Sequence, residues 1–150
     1  MLVNEEVISA IRTVFPLAPL PEKLVDIVFE TERPFEVAYI HQVFNAHSWE
    51  DIPRQVLIQS VSMLIYMTED AYLYYLPAYL VLILDYDISD FASRCILDMF
   101  SKNSEHPQQK SIVSLLAVSQ RQVLIKVFQY LREHDWEEEL PEPSDLLYLA

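Results

Sequence analysis

Along most of the chain, apolar positions recur at helical spacing, and capping signals separate the runs. Val7, Ile8, Ile11, Val14 and Phe15 fall on one face of a segment opened by Asn4. The Asn4 oxygen suits an N-cap, and Glu5 and Glu6 suit the positive end of a helix dipole. Pro16, Pro19 and Pro21 end that segment and force an extended connection. Leu24, Val25, Ile27, Val28 and Phe29 form a run too short for periodicity to choose between helix and strand. Thr31-Glu32-Arg33-Pro34 opens the next helix, with proline acceptable in a first turn. Phe35, Val37, Ala38, Ile40, Val43 and Phe44 carry it to about Ala46. After a turn through Ser48 to Asp51, Pro53 opens a helix bearing Val56, Leu57, Ile58, Val61, Leu64 and Ile65.

Thr68 caps the following helix, although no Glu or Gln stands three residues on to complete a capping box. From Ala71 to Leu84 this helix carries no charge, which predicts burial in the core. Pro77 lies inside it and removes an amide donor, so a kink or a break is expected there. Ser89-Asp90 restarts the chain into residues 91–100, and residues 104–109 read as a polar loop. A short apolar stretch at 112–117 leads to Ser119-Gln120-Arg121-Gln122, a capping box for a last helix that buries Val123, Ile125 (or Leu124), Val127, Phe128 and Leu131. The expected fold is all-α: a single compact domain of about six or seven helices over 1–134, then an acidic tail or arm over 135–150. One strand pair between 24–29 and 112–117 is compatible with it.

Composition narrows the chemistry. The 150 residues include no glycine, where average usage of about 7 % would supply on the order of ten. Phosphate cradles built on glycine loops, dinucleotide fingerprints and the G-x-S-x-G nucleophile elbow are therefore excluded. Ten basic against twenty-three acidic side chains leave a net charge of −13, unsuited to nucleic acid or to an anionic membrane surface but suited to a basic protein. The single cysteine, Cys95, precludes an internal disulfide and points to a reducing cytoplasm. The acidic first residues lack a signal-peptide layout, and the fourteen uncharged residues from Ala71 to Leu84 fall short of the roughly 18 a membrane span needs.

No constellation of reactive groups stands out. His41, His47, His106 and His134 lack metal-ligand spacing, so no metal or other cofactor is expected. Asp85 to Asp90 resembles the start of a calcium loop, but Asp90 stands where glycine is needed and Ile96 where the closing Glu belongs. A helix-capping loop fits better. Cys95 shares a helical face with Phe91 and Met99 as a small core residue, and Arg94 and Asp98 are spaced to pair. Tyr66, Tyr72, Tyr74, Tyr75, Tyr79 and Tyr86 form either a core seam beside Pro77 or a binding surface, a choice that the exposure of Tyr74 and Tyr86 decides.

Trp49-Glu50-Asp51-Ile52-Pro53, the Thr68 to Tyr72 helix start and Tyr75-Leu76-Pro77-Ala78-Tyr79 resemble an uncharacterised bacterial family of small helical proteins, with Trp-x-x-Ile-Pro and Tyr-Leu-Pro-Ala-Tyr segments. The resemblance spans roughly residues 4–133, is most specific in the central third, and implies a helical fold without any assigned activity.

The expected function is that of a non-catalytic, acidic, cytoplasmic protein-binding protein, such as an immunity protein that blocks a basic toxin domain. Two clusters are its candidate contacts: Asp85, Tyr86, Asp87 and Asp90, and Trp136, Glu137, Glu138 and Glu139. In each, acids supply steering and an aromatic supplies a desolvated anchor. A self-associating scaffold subunit is the first alternative, favoured by a mean hydropathy of +0.14 in so acidic a chain. An enzyme with a site assembled from scattered Asp, Glu, Tyr and His is the second.

Overall fold

In the computed structural model, residues 3–84, 94–96 and 113–134 are described. Helix α1 (Asn4–Val14) buries Val7 and Ile11 and leaves Glu5, Glu6 and Arg12 outside, as the spacing predicts. Asn4 is not its cap. Val3 occupies that position without a side-chain bond, and Asn4 Nδ2 instead donates to Leu84 O at 3.3 Å, satisfying a carbonyl just past the end of another helix. Helix α2 is one turn, Phe29–Glu32, and α3 (Pro34–Phe44) begins on Pro34, where a missing amide costs nothing. The run at 24–29 splits: Leu24 and Val25 are buried outside any helix, while Phe29 starts α2. Val25 makes an isolated antiparallel bridge to Met67. Residues 113–115 are helical, so the partner of that piece is the segment before Thr68.

Helix α4 (Arg54–Ser60) tightens into a 3-10 segment, Val61–Tyr66, where the pattern predicts one continuous helix. Ser60, the turning point, is fully buried, and its hydroxyl donates to Val56 O at 2.7 Å. The Tyr79 hydroxyl, 3.1 Å away, completes that group's partners from the neighbouring helix.

Helix α5 (Glu69–Ile83) is the centre of the fold. Thr68 caps it, accepting the Ala71 N–H at 3.2 Å. The helix runs unbroken through Pro77, so of the kink or break expected there the break does not occur. An internal proline costs about 3 kcal/mol, but burying one large side chain returns roughly 1.5–3 kcal/mol. Tyr75, Leu76, Tyr79 and Leu80 are all buried around it. Helix α6 (Val118–Glu133) packs with α5 against α1 and starts ahead of Ser119. Its cap is Ala117, whose N–H donates to Gln120 Oε1 at 2.9 Å, and Gln120 Nε2 donates to Val14 O at 3.0 Å. One glutamine thus serves the start of α6 and the end of α1, while Ser119 lies in the first turn. No strand forms among the described residues, and the fold is all-α. The acidic tail at 135–150 lies outside them.

In the turn after α3, Ala46 adopts a left-handed conformation with φ 64°. A Cβ makes that region unfavourable by roughly 1–2 kcal/mol, partly offset by the greater freedom of glycine in the unfolded chain. Ala46→Gly is therefore expected to stabilise the protein by about 0.5–1 kcal/mol and Ala46→Val to destabilise it, as read by urea denaturation. Equal midpoints for the three proteins would show that the turn carries no strain.

Candidate functional site

Three prolines leave the segment after α1 poor in amide donors, and its carbonyls need partners from elsewhere. They find them on separate elements. Trp49 Nε1 donates to Pro16 O at 3.3 Å, and Tyr74 Oη donates to Leu17 O at 2.6 Å. Thr68 Oγ1 donates to Lys23 O at 2.7 Å, and the Thr68 amide to Leu24 O at 3.0 Å. Tyr74 Oη also accepts the Trp49 N–H at 3.3 Å, so one hydroxyl links the proline loop to the turn before α4. Although tied at both ends, the loop leaves Leu17 45 % and Leu20 40 % exposed. Between it, the start of α5 and residues 115–120 runs a groove of about 570 Å³. Phe15, Leu20, Leu73, Leu115 and Leu116 line it, and the charged side chains described in its lining are Glu22 and Asp70.

A second surface lies at the elbow between α2 and α3. Phe29 packs edge-on against Tyr66, with ring centroids 5.0 Å apart, and anchors the elbow to the core. Around that anchor Ile27 is 66 % exposed and Phe35 is 87 % exposed. Asp26, Glu30, Glu32 and Glu36 lie close to them in sequence, with Arg33 as the cation inside the stretch. The sequence pattern counts Phe35 with the apolar set of α3, and the structure corrects this. The buried positions are Val37, Ile40 and Phe44. Phe35 lies two residues before Val37, about 200° around the helix, and points away from the core.

A third feature is a cleft of about 630 Å³ lined by Ile8, Trp49, Leu57, Val81 and Leu82, with the Arg12–Glu50 ion pair at 2.8 Å in its wall. The arrangement offers apolar surface and, among the described residues, no set of reactive groups. Among the described residues no cluster of His, Cys, Asp and Glu is placed to hold a metal ion. Tyr72, Tyr75 and Tyr79 are buried, and desolvation pushes the ionisation of each well above the usual tyrosine range. Tyr74 is half-buried and committed to the loops, so the tyrosines from 72 to 79 are a core seam. Cys95 packs partly buried against the core.

Asp85, Tyr86, Asp87, Asp90, Trp136, Glu137, Glu138 and Glu139 all lie outside the described residues, as do His106 and the Asp98 end of the expected pair with Arg94. The elbow and the groove were missed by sequence reasoning for different reasons. A signal for the elbow is legible in retrospect: Phe35 is out of phase with Val37, Ile40 and Phe44 and sits among four acids. The groove has no such signal, because its walls come from three distant segments.

Among the described residues no helix is long and apolar enough to cross a membrane. Residues 4–144 match the model of a protein family described as one of unknown function. No curated protein and no solved structure matches the chain.

Proposed function

The chain belongs to DUF6714, a family of unknown function, and we propose that it is a non-catalytic cytoplasmic binding protein whose partner is a basic protein. The more specific form of this reading is a bacterial immunity protein that covers the cationic cleft of a toxin domain. One observation carries it: an aromatic ring 87 % exposed at the acidic elbow between α2 and α3. A large aromatic left in water amid charges is the arrangement of an interface anchor, in which the ring gives residence time and the charges give encounter rate. A net charge of −13 favours a basic partner and opposes association with a second copy of the same chain.

The test starts from a basic protein that co-purifies with the tagged chain from its source cells, identified by mass spectrometry and then purified alone. Phe35→Ala is expected to raise its dissociation rate by about 30-fold, the size of a loss near 2 kcal/mol at an anchor. Glu30→Lys with Glu32→Lys is expected to lower the association rate by about tenfold at low salt, with the difference shrinking as salt is added. Unchanged rates in both variants would remove the elbow from the interface and this reading with it.

A further inference from the structure

We propose that the groove beside the proline loop is a separate docking site, which takes an amphipathic helix with an apolar stripe and lysines or arginines flanking it. The first support is preorganisation. Side chains from Trp49, Tyr74 and Thr68 hold the carbonyls of Pro16, Leu17 and Lys23 near its two ends, yet Leu17 and Leu20 stay partly exposed to water. A loop ordered before binding loses little freedom on binding, which is the condition for a small groove to bind usefully.

The second support is the character of the walls. Leu20, Leu73, Leu115 and Leu116 supply apolar surface from three segments, and Leu115 and the neighbouring Val118 are themselves exposed. Helix-in-groove recognition uses such walls to take apolar anchors at i, i+3 or i+4, and i+7. The third support is charge. Glu22 and Asp70 are the described charged residues in the lining, and both are exposed. The nearby guanidinium of Arg121, outside the lining, donates to Leu116 O at 3.1 Å and Ser114 O at 3.0 Å and keeps its charge, so two carboxylates in the lining stand against one cation beside it. The groove therefore offers apolar contact and negative potential together, and the complementary ligand is apolar on one face and cationic beside it. A second copy of this chain carries the wrong net charge to be that ligand.

The probe is a fluorescent synthetic helix of about five turns, with leucines on one face and lysines elsewhere. Its control has the same composition with the leucines dispersed around the helix. The amphipathic peptide is expected to bind about tenfold more tightly than its control, with methyl chemical-shift changes centred on Leu20, Leu73, Leu115 and Leu116. Leu20→Ala, at an exposed site that leaves the core intact, is expected to weaken binding by about tenfold. Glu22→Lys with Asp70→Asn is expected to weaken it further and to flatten its salt dependence. Phe35→Ala is expected to have no effect, which separates this site from the elbow. Equal binding of the two peptides, shifts centred on Phe35, or concentration-dependent self-association through Leu20 would each overturn the proposal.

Discussion

Tyr75→Ala is expected to remove most of the protein's stability, and Tyr75→Phe a smaller, separable part. The ring is fully buried, 4.8 Å from that of Phe44 and 4.8 Å edge-on from that of Tyr74. Its hydroxyl lies 2.9 Å from Phe44 O and 2.8 Å from His47 O, closing the end of α3 over the left-handed Ala46. Truncating a core aromatic costs about 3–5 kcal/mol, and losing the hydrogen bond of its hydroxyl adds about 0.5–1.5 kcal/mol. Domains of this kind hold about 5–15 kcal/mol in total, so the alanine variant approaches the limit of folding. Tyr75→Phe keeps the ring contacts and isolates the hydroxyl, and a loss of about 0.5–1.5 kcal/mol is expected by urea denaturation. Amide exchange at Asn45 and His47, whose N–H groups bond His41 O and Phe44 O, is expected to quicken in the same variant. A phenylalanine variant as stable as the parent would mean that the hydroxyl does not hold the turn.

The second large effect is alkaline unfolding. Desolvation is the main cause of the raised ionisation of Tyr72, Tyr75 and Tyr79 in the folded protein, with Tyr79 and Tyr74 adding repulsion to Tyr72 and Tyr75 respectively. In the unfolded chain each ionises near the usual value of about 10. Above that pH the unfolded state binds fewer protons than the folded one, so stability falls as pH rises. Below it both states are protonated and these groups contribute no slope. Each buried tyrosine removes about 1.4 kcal/mol per pH unit once the unfolded form ionises, or roughly 4 kcal/mol per unit for the three. Unfolding is expected within about two pH units above 10, with tyrosinate absorbance and loss of helical circular dichroism rising together. Gradual ionisation of the three near pH 10 with the helices intact would contradict their burial. The Tyr72 hydroxyl is buried and has no hydrogen-bond partner among the described residues. Tyr72→Phe is accordingly expected to gain about 1 kcal/mol at neutral pH and to shed about a third of the alkaline slope.

Much of the helical layout was legible because it depends on neighbours in the chain. The stripe through Val7 and Ile11, Pro34 at the start of α3, the Thr68 cap, the uncharged stretch of α5 from Ala71 onward and the stripe through Val123, Val127 and Leu131 each follow from helical geometry or from one local hydrogen bond. The tightening at Ser60 was not legible, because the stripe through Val56 to Ile65 reads as one helix and says nothing of the Tyr79 hydroxyl that meets Ser60. The caps expected at Asn4 and Ser119 did not form, and partners across the fold took up the side chains of Asn4 and Gln120. Their amides serve carbonyls at Leu84 and Val14, far away in sequence, and a better partner across the fold displaced or supplemented the local cap.

The candidate site divides in the same way. The acidity that favours a basic partner, and the absence of glycine that excludes phosphate loops, belong to the sequence alone. That Phe35 faces water while Phe44, on the same helix, is fully buried was decided by which side of α3 met the core. That Leu20, Leu73 and Leu115 share one groove was decided by the hydrogen bonds that fold the proline loop back onto α5. Composition and helical period are properties of a chain and its nearest neighbours. Exposure and the pairing of polar groups depend on which distant segments pack together, and only the tertiary structure fixes that.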